Sequence, residues 1–197
     1  MDNLKNNNKI LFIPGWLDGG ELHGFKNSLD IWNKNIDIKK NFEVDFVIAH
    51  SVGALAALDN WKIYKNFKII LINPVFLKRN IFKRWLKSMI YENTYYSFKR
   101  MIIFLSTIPA FIKAIKLFKV PVISIINTIP RDDLIIIYGE NDKYLCDREL
   151  VNSFKDRFRV IEVKGAGHNY NIDIENAIIN NLKTDNPKLI NYKDYEN

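Results

Sequence analysis

Five short apolar runs punctuate this chain: Lys9–Ile13, Asp45–Ala49, Phe67–Asn73, Leu134–Tyr138 and Arg157–Val163. They are rich in Ile, Val and Phe, and most lack the polar residue at every second position that a half-solvated strand carries. Runs that are apolar throughout fit strands covered on both faces, as in a parallel sheet. Several stop at glycine or proline: Pro14-Gly15, Asn73-Pro74, Gly139 and Gly165. Helical patterns lie between them, at Leu22–Trp32, Val52–Trp61, Leu145–Phe154 and Ile174–Leu182. Strands alternating with helices predict a layered α/β domain.

The chain has 197 residues, enough for one domain that buries roughly 70% of its unfolded surface without a disulfide or a metal. Its single cysteine, Cys146, rules out an internal disulfide and suits a reducing compartment. Met1–Lys9 is polar, and the apolar run after it is too short for a signal-peptide core. No stretch approaches the roughly 20 apolar residues of a membrane span. The expectation is a soluble, cytoplasmic protein. No His/Cys/Asp cluster has metal-ligand spacing, so no metal and no cofactor are expected.

Residues 77–130 break the alternation and read as helices inserted into the core. In Ile81–Ile90 the apolar positions 81, 82, 85, 86, 89 and 90 form one stripe, with Lys83, Arg84 and Lys87 off it. Tyr95–Ile108 stops at Pro109, and Phe111–Phe118 carries Lys113 and Lys116. Charge concentrates here. Residues 76–131 hold seven lysines and four arginines against one acid, Glu92, a net +10 in a chain whose total is +7. A positive field confined to one segment points to a polyanionic partner or an anionic surface. A nucleic acid is not expected, because the segment carries no recognisable binding module.

The chemistry begins at "IAHSVGA", residues 48–54. Ser51 follows a strand and precedes a helix, with the small residues Ala49 and Gly53 two positions either side. Small flanking residues allow the tight turn of a nucleophile elbow, which leaves the serine at a helix N-terminus. In "LIIIYGENDKY" a strand ends and Asp142 lies in the loop beyond it, where an acid can orient a histidine. In "VKGAGHNYN" the small residues Gly165, Ala166 and Gly167 lead into His168. The chain order Ser51, Asp142, His168 gives a nucleophile, an orienting acid and a base. In "ILFIPGWLDGG" a strand runs into Pro14-Gly15-Trp16. Acyl transfer needs two N–H groups at the oxyanion, here those of Val52 and Trp16.

The other candidates are weaker. Asp147 could replace Asp142 but sits in a helical pattern, and Asp132 and Asp133 lie before the strand, at its wrong end. His50 is expected to pack and hydrogen-bond beside the elbow, His23 to pack on or near the first helix, and Cys146 to be a buried packing thiol.

At "AHSVGA", "YGENDKY", "GAGHN" and, less specifically, "IPGW", the sequence resembles the α/β-hydrolase superfamily over nearly its whole length. The resemblance implies a three-layer α/β-hydrolase fold with a trimmed, mostly parallel sheet of five or six strands. Residues 1–76 and 131–184 would form the core, 77–130 a helical cap that shapes an acyl pocket, and 185–197 a polar tail. The chain departs from the family pattern in three ways. Ala49 replaces the first elbow glycine. Pro14-Gly15 stands where many members have His-Gly. Room between Trp16 and His50 is short, with "NIDIKK", 35–40, as the one candidate remnant strand.

The implied activity is that of a serine esterase or thioesterase that works through an acyl-enzyme on a small acyl ester, without a cofactor. The arrangement also resembles esterases that remove a methyl ester from an acyl chain held by acyl carrier protein. On that reading Arg79, Lys83, Arg84 and Lys87 would grip the acidic carrier. A lipase-like enzyme whose cap rests on anionic membrane, and a non-catalytic binding protein on the same scaffold, are the alternatives.

Overall fold

A computed structural model of the protein describes residues 10–15, 23–29, 44–61, 67–77, 79–91 and 115–185. The elements run β1 (Ile10–Ile13), β2 (Phe46–His50), α1 (Gly53–Asp59), β3 (Lys68–Ile72), α2 (Ile81–Tyr91), α3 (Val122–Ile126), β4 (Leu134–Gly139), α4 (Arg148–Asn152), β5 (Arg159–Val163) and α5 (Ile172–Asp185). The five strands form one sheet in the order β1-β2-β3-β4-β5, and every neighbouring pair is parallel. Each predicted apolar run supplies one of these strands.

The sheet is apolar on both faces. Leu11, Ile13, Val47, Ala49, Ile69, Leu71, Ile136 and Tyr138 pack with α1, α3 and α4 on one side. Ile10, Phe12, Ile48, Ile70, Ile72, Ile135 and Ile137 pack with α5, through Ile174, Ile178 and Leu182, on the other. Consecutive strand residues point to opposite faces, so both parities of β1 to β4 are largely apolar, whereas edge strand β5 leaves Arg159 and Glu162 exposed. Fully burying one such side chain stabilises the fold by about 1.5–3 kcal/mol. That return explains why the runs contain so few polar residues. No helix among the described residues is long and apolar enough to cross a membrane.

Three local expectations change. Residues 23–29, within the predicted helix Leu22–Trp32, form a turn and a single parallel bridge instead. Gly24 takes φ +74°, and the chain then runs beside β1, with Phe12 N–H donating to Asn27 O and Leu29 N–H to Phe12 O. Phe25 and Leu29 are buried, so a spacing of four served an irregular edge segment rather than a helix.

Second, α2 is rolled away from its predicted apolar stripe. Among its described side chains, Ile81, Arg84, Trp85 and the fully buried Ser88 turn inward, whereas Leu86, Ile90 and Tyr91 are exposed. A part-buried acceptor set for Arg84, described below, accounts for the roll. Third, Val122–Ile126 forms a helix that the sequence reading left unassigned. The described parts of 77–130 are helical or turn. The predicted Tyr95–Ile108 helix, the start of Phe111–Phe118, the 35–40 strand and the tail from 186 lie outside the described residues.

Candidate active site

Every predicted site residue that is described on the core sits just past the C-terminal end of a strand. β2 ends at His50, and Ser51 follows with φ 55°. A non-glycine residue in this left-handed region is strained, and that strain turns the hydroxyl out of the strand direction. Ser51 N–H donates to Ile72 O at 2.8 Å, while Ser51 O accepts from Ala54 N–H at 3.2 Å and Val75 N–H at 3.3 Å. The turn is therefore pinned to β3 and to the start of α1. A side chain at Gly53 would put its Cβ 2.5 Å from the carbonyl oxygens of Ile13 and Pro14, so only glycine lets β1 and α1 meet there.

Three side chains from three strand ends converge. Asp142 and His168 are 0% and 2% exposed, and Ser51 is 6% exposed. His168 Nδ1 lies 2.7 Å from Asp142 Oδ2, and His168 Nε2 lies 2.9 Å from Ser51 Oγ. A carboxylate only accepts, so Nδ1 carries the proton and donates to Asp142. Nε2 is then left to accept from the Ser51 hydroxyl. The second oxygen of Asp142, Oδ1, accepts from Leu145 N–H at 3.2 Å and Cys146 N–H at 3.1 Å. This buried carboxylate is thus bonded at both oxygens.

The histidine loop is held from outside the triad. His168 O accepts from Asn73 Nδ2 at 2.8 Å and from His50 Nε2 at 2.8 Å. Asn73 Nδ2 also donates to Gly167 O at 3.0 Å, and Asn73 Oδ1 accepts from Gly139 N–H at 2.7 Å. Asn73 is fully buried with φ 44°. One side chain therefore ties the ends of β3 and β4 to the loop after β5. Gly139 permits the contact, because a Cβ there would collide with the carbonyl oxygens of Ala166 and Gly167. Sequence reasoning missed Asn73. Its one signal was an asparagine at a strand end, before Pro74, where a short amide side chain tolerates positive φ.

Burial pushes the Cys146 thiol well above its ordinary range, with Asp142 and Asp147 adding to the effect. An uncharged buried thiol suits packing, as expected for this residue. Asp147, the alternative acid, does not face His168. Its Oδ2 accepts from Phe76 N–H at 2.7 Å and Leu77 N–H at 2.9 Å, and its Oδ1 pairs with Arg84 at 2.8 Å. Burial raises its carboxyl above the ordinary value, although Arg84 and those two N–H groups pull the other way.

No family model matches the sequence, and no curated protein matches it. Solved structures do. BpoC of Mycobacterium tuberculosis H37Rv, a non-heme bromoperoxidase candidate, superposes with TM-score 0.54 at 10% identity, covering 94% of each chain. The esterase domain of a Rhodothermus marinus protein gives TM-score 0.51 at 10% identity, over 90% of this chain and 85% of that one. DcsB, solved with a substrate analogue, gives 0.51 at 11%, over 89% of each. The chain has the α/β-hydrolase fold. In this hydrolase fold Ser51, Asp142 and His168 stand together at one edge of the sheet, in the chain order the resemblance implied.

The remaining predicted residues divide. Val52 is buried just past the elbow, and no described residue accepts from its N–H. Trp16, the expected second oxyanion donor, lies outside the described residues. His23 packs by its ring against Phe12 and Tyr170, centroids 5.7 and 5.1 Å away, on a 3₁₀ turn rather than on an α-helix. Arg79, Lys83 and Lys87 are exposed along a groove of about 1000 Å³ between α2 and the acid loop. Lys87 Nζ lies 5.6 Å from the centre of the Tyr144 ring. Arg84 departs from its predicted role. It also lines the groove, but gives its guanidinium to the carbonyls of Leu77, Tyr144 and Leu145 and to Asp147.

Proposed function

We propose that the protein is a serine hydrolase that cleaves a carboxylic ester or thioester through an acyl-enzyme. The observation that carries the reading is the buried chain Ser51 Oγ–His168 Nε2, His168 Nδ1–Asp142 Oδ2, at 2.9 and 2.7 Å, with its serine on a strained turn. Ser51 Oγ attacks the acyl carbon and its proton passes to His168 Nε2. The bond to the leaving oxygen or sulfur breaks as His168 returns that proton to it. Water then repeats the cycle: its proton goes to His168, its oxygen joins the acyl carbon, and Ser51 leaves with the proton. Asp142 holds the imidazole in one tautomer and stabilises the imidazolium. The Val52 N–H, with that of Trp16, would meet the oxyanion.

The substrate side rests on charge. Arg79, Lys83 and Lys87 form no ion pair among the described residues, and they line the groove beside the acid loop. An acidic carrier of the acyl group, such as acyl carrier protein, is the partner we propose for them. Labelling with a fluorophosphonate, mapped by mass spectrometry, tests the chemistry. Modification at Ser51 that is lost in Ser51→Ala and His168→Ala is expected. A folded parent that never reacts would overturn the reading in favour of a binding protein on a hydrolase scaffold.

A further inference from the structure

The residue that left the predicted cationic surface leads to the inference. Arg84 Nε donates to Tyr144 O at 2.8 Å, and Nη2 donates to Leu145 O and, at 2.8 Å, to Asp147 Oδ1. Nη1 donates to Leu77 O at 3.1 Å. Tyr144 O and Leu145 N–H belong to one peptide group, and Leu145 O and Cys146 N–H belong to the next. Both N–H groups donate to Asp142 Oδ1, at 3.2 and 3.1 Å. Two consecutive peptide groups therefore stand between a guanidinium and a carboxylate. Their carbonyls face the cation and their amides face the anion.

We propose that Arg84 is a positioning residue for Asp142, so that the seating of α2 on the core sets how firmly the acid holds His168. Two physical effects act together. The planar fork of the guanidinium fixes both carbonyls at once, which fixes the orientation of both amides. The positive charge also polarises each peptide group, so each amide becomes a stronger donor to the carboxylate. Asp147 anchors the far side of the fork and is itself tied to the chain after β3 through Phe76 and Leu77. The link thus runs from the inserted helix to the acid loop without Arg84 touching the triad. This role rests on the hydrolase reading only for its kinetic consequence. The geometry it concerns is the Asp142–His168 contact itself.

The test compares the parent with Arg84→Met, Arg84→Lys, the double variant Arg84→Met/Asp147→Asn, and Lys155→Met as an exposed control outside the groove. The double variant leaves no unpaired buried carboxylate and keeps the test valid if Arg84→Met does not fold. The first readout is the NMR signal of the His168 Nδ1 proton, which reports the bond to Asp142 whether or not the protein is a catalyst. The second is the rate of fluorophosphonate labelling at Ser51.

The Nδ1 signal is expected to move or broaden in the Arg84→Met variants, with labelling slowed by about 10- to 100-fold, the scale for misplacing an intact catalytic group. Arg84→Lys should fall between, because one ammonium cannot fork to both carbonyls. Lys155→Met should match the parent. An unmoved Nδ1 signal in the folded double variant overturns the proposal, whatever the labelling rate does. A parent that never labels, with a signal that still moves in the Arg84 variants, overturns the hydrolase reading and upholds the positioning role.

Discussion

The side-chain amide of Asn73 donates to the main-chain carbonyl of His168 at 2.8 Å, across 95 residues of sequence. His168 is therefore located by its own backbone as well as by its bond to Asp142. Removing the amide in Asn73→Ala strands the Gly139 N–H and the part-buried Gly167 carbonyl, and leaves the His168 carbonyl with His50 Nε2 alone. The cost is about 1–3 kcal/mol for each group left unsatisfied. Thermal denaturation should fall by several degrees, at roughly 2–4 °C per kcal/mol for a chain of this size. Asn73→Asp should be worse, since a carboxylate would face two carbonyl oxygens. A melting temperature within a degree of the parent in both variants would contradict the role.

Gly139 holds the acid strand and the histidine loop in contact. In Gly139→Ala the new methyl must push Ala166 and Gly167 away, and His168 moves with them. We expect Ser51 labelling to slow by at least about tenfold, on the scale of a misplaced base. A variant that labels at the parent's rate would mean that the loop yields without carrying the imidazole.

Ser51 separates strain from chemistry. Both Ser51→Ala and Ser51→Gly remove the nucleophile, and neither should react with the probe. Only glycine relieves the φ of 55°, a strain of about 1–3 kcal/mol. Ser51→Gly should therefore melt at a higher temperature than Ser51→Ala. The reverse order would show that the elbow is unstrained.

Asp147 gives a pH dependence whose sign follows from burial. Desolvation raises its carboxyl above the ordinary value of 3.8, against the pull of Arg84. A carboxyl raised in the folded state contributes stability below its unfolded value and loses it as pH rises through the folded one. Arg84→Met removes the strongest opposing influence and pushes the carboxyl higher still. Its stability deficit against the parent should grow as pH rises from the ordinary carboxylate range towards neutral, and Asp147→Asn should flatten the difference. A deficit that stays equal across that rise would show that Asp147 adapts without its partner.

For the acidic carrier, Arg79→Glu, Lys83→Glu and Lys87→Glu together should weaken binding of acyl carrier protein and remove its salt dependence. Labelling of Ser51 by a small phosphonate should not change. Binding that is indifferent to the three reversals, measured at low and high salt, would remove the carrier from the reading.

Much of the sheet was legible because a strand buried on both faces has few choices: Ile69–Ile72 reads as core in any register. The triad candidates were legible because each stood at the end of such a run. What escaped depended on long-range polar contacts. Nothing local to Asn73 announces that Gly139 and His168 will need its amide. Nothing in Ile81–Ile90 announces that Arg84 will turn inward, since its reason lies at residues 144–147. The 23–29 segment misled for a related cause. Phe25 and Leu29 are apolar at helical spacing, but the partner that organises them is the main chain of Phe12.

The parallel order β1 to β5 sets a timetable for the nascent chain. Ser51 is in place once β2 and β3 have joined, yet its hydrogen-bonding partner arrives only after β5 has added to the open edge of β4. A ribosome-bound fragment ending before Arg159 would carry a primed hydroxyl with nothing to take its proton. On the hydrolase reading, a probe for that hydroxyl reacts only with molecules in which the loop after β5 has docked on the rest of the sheet.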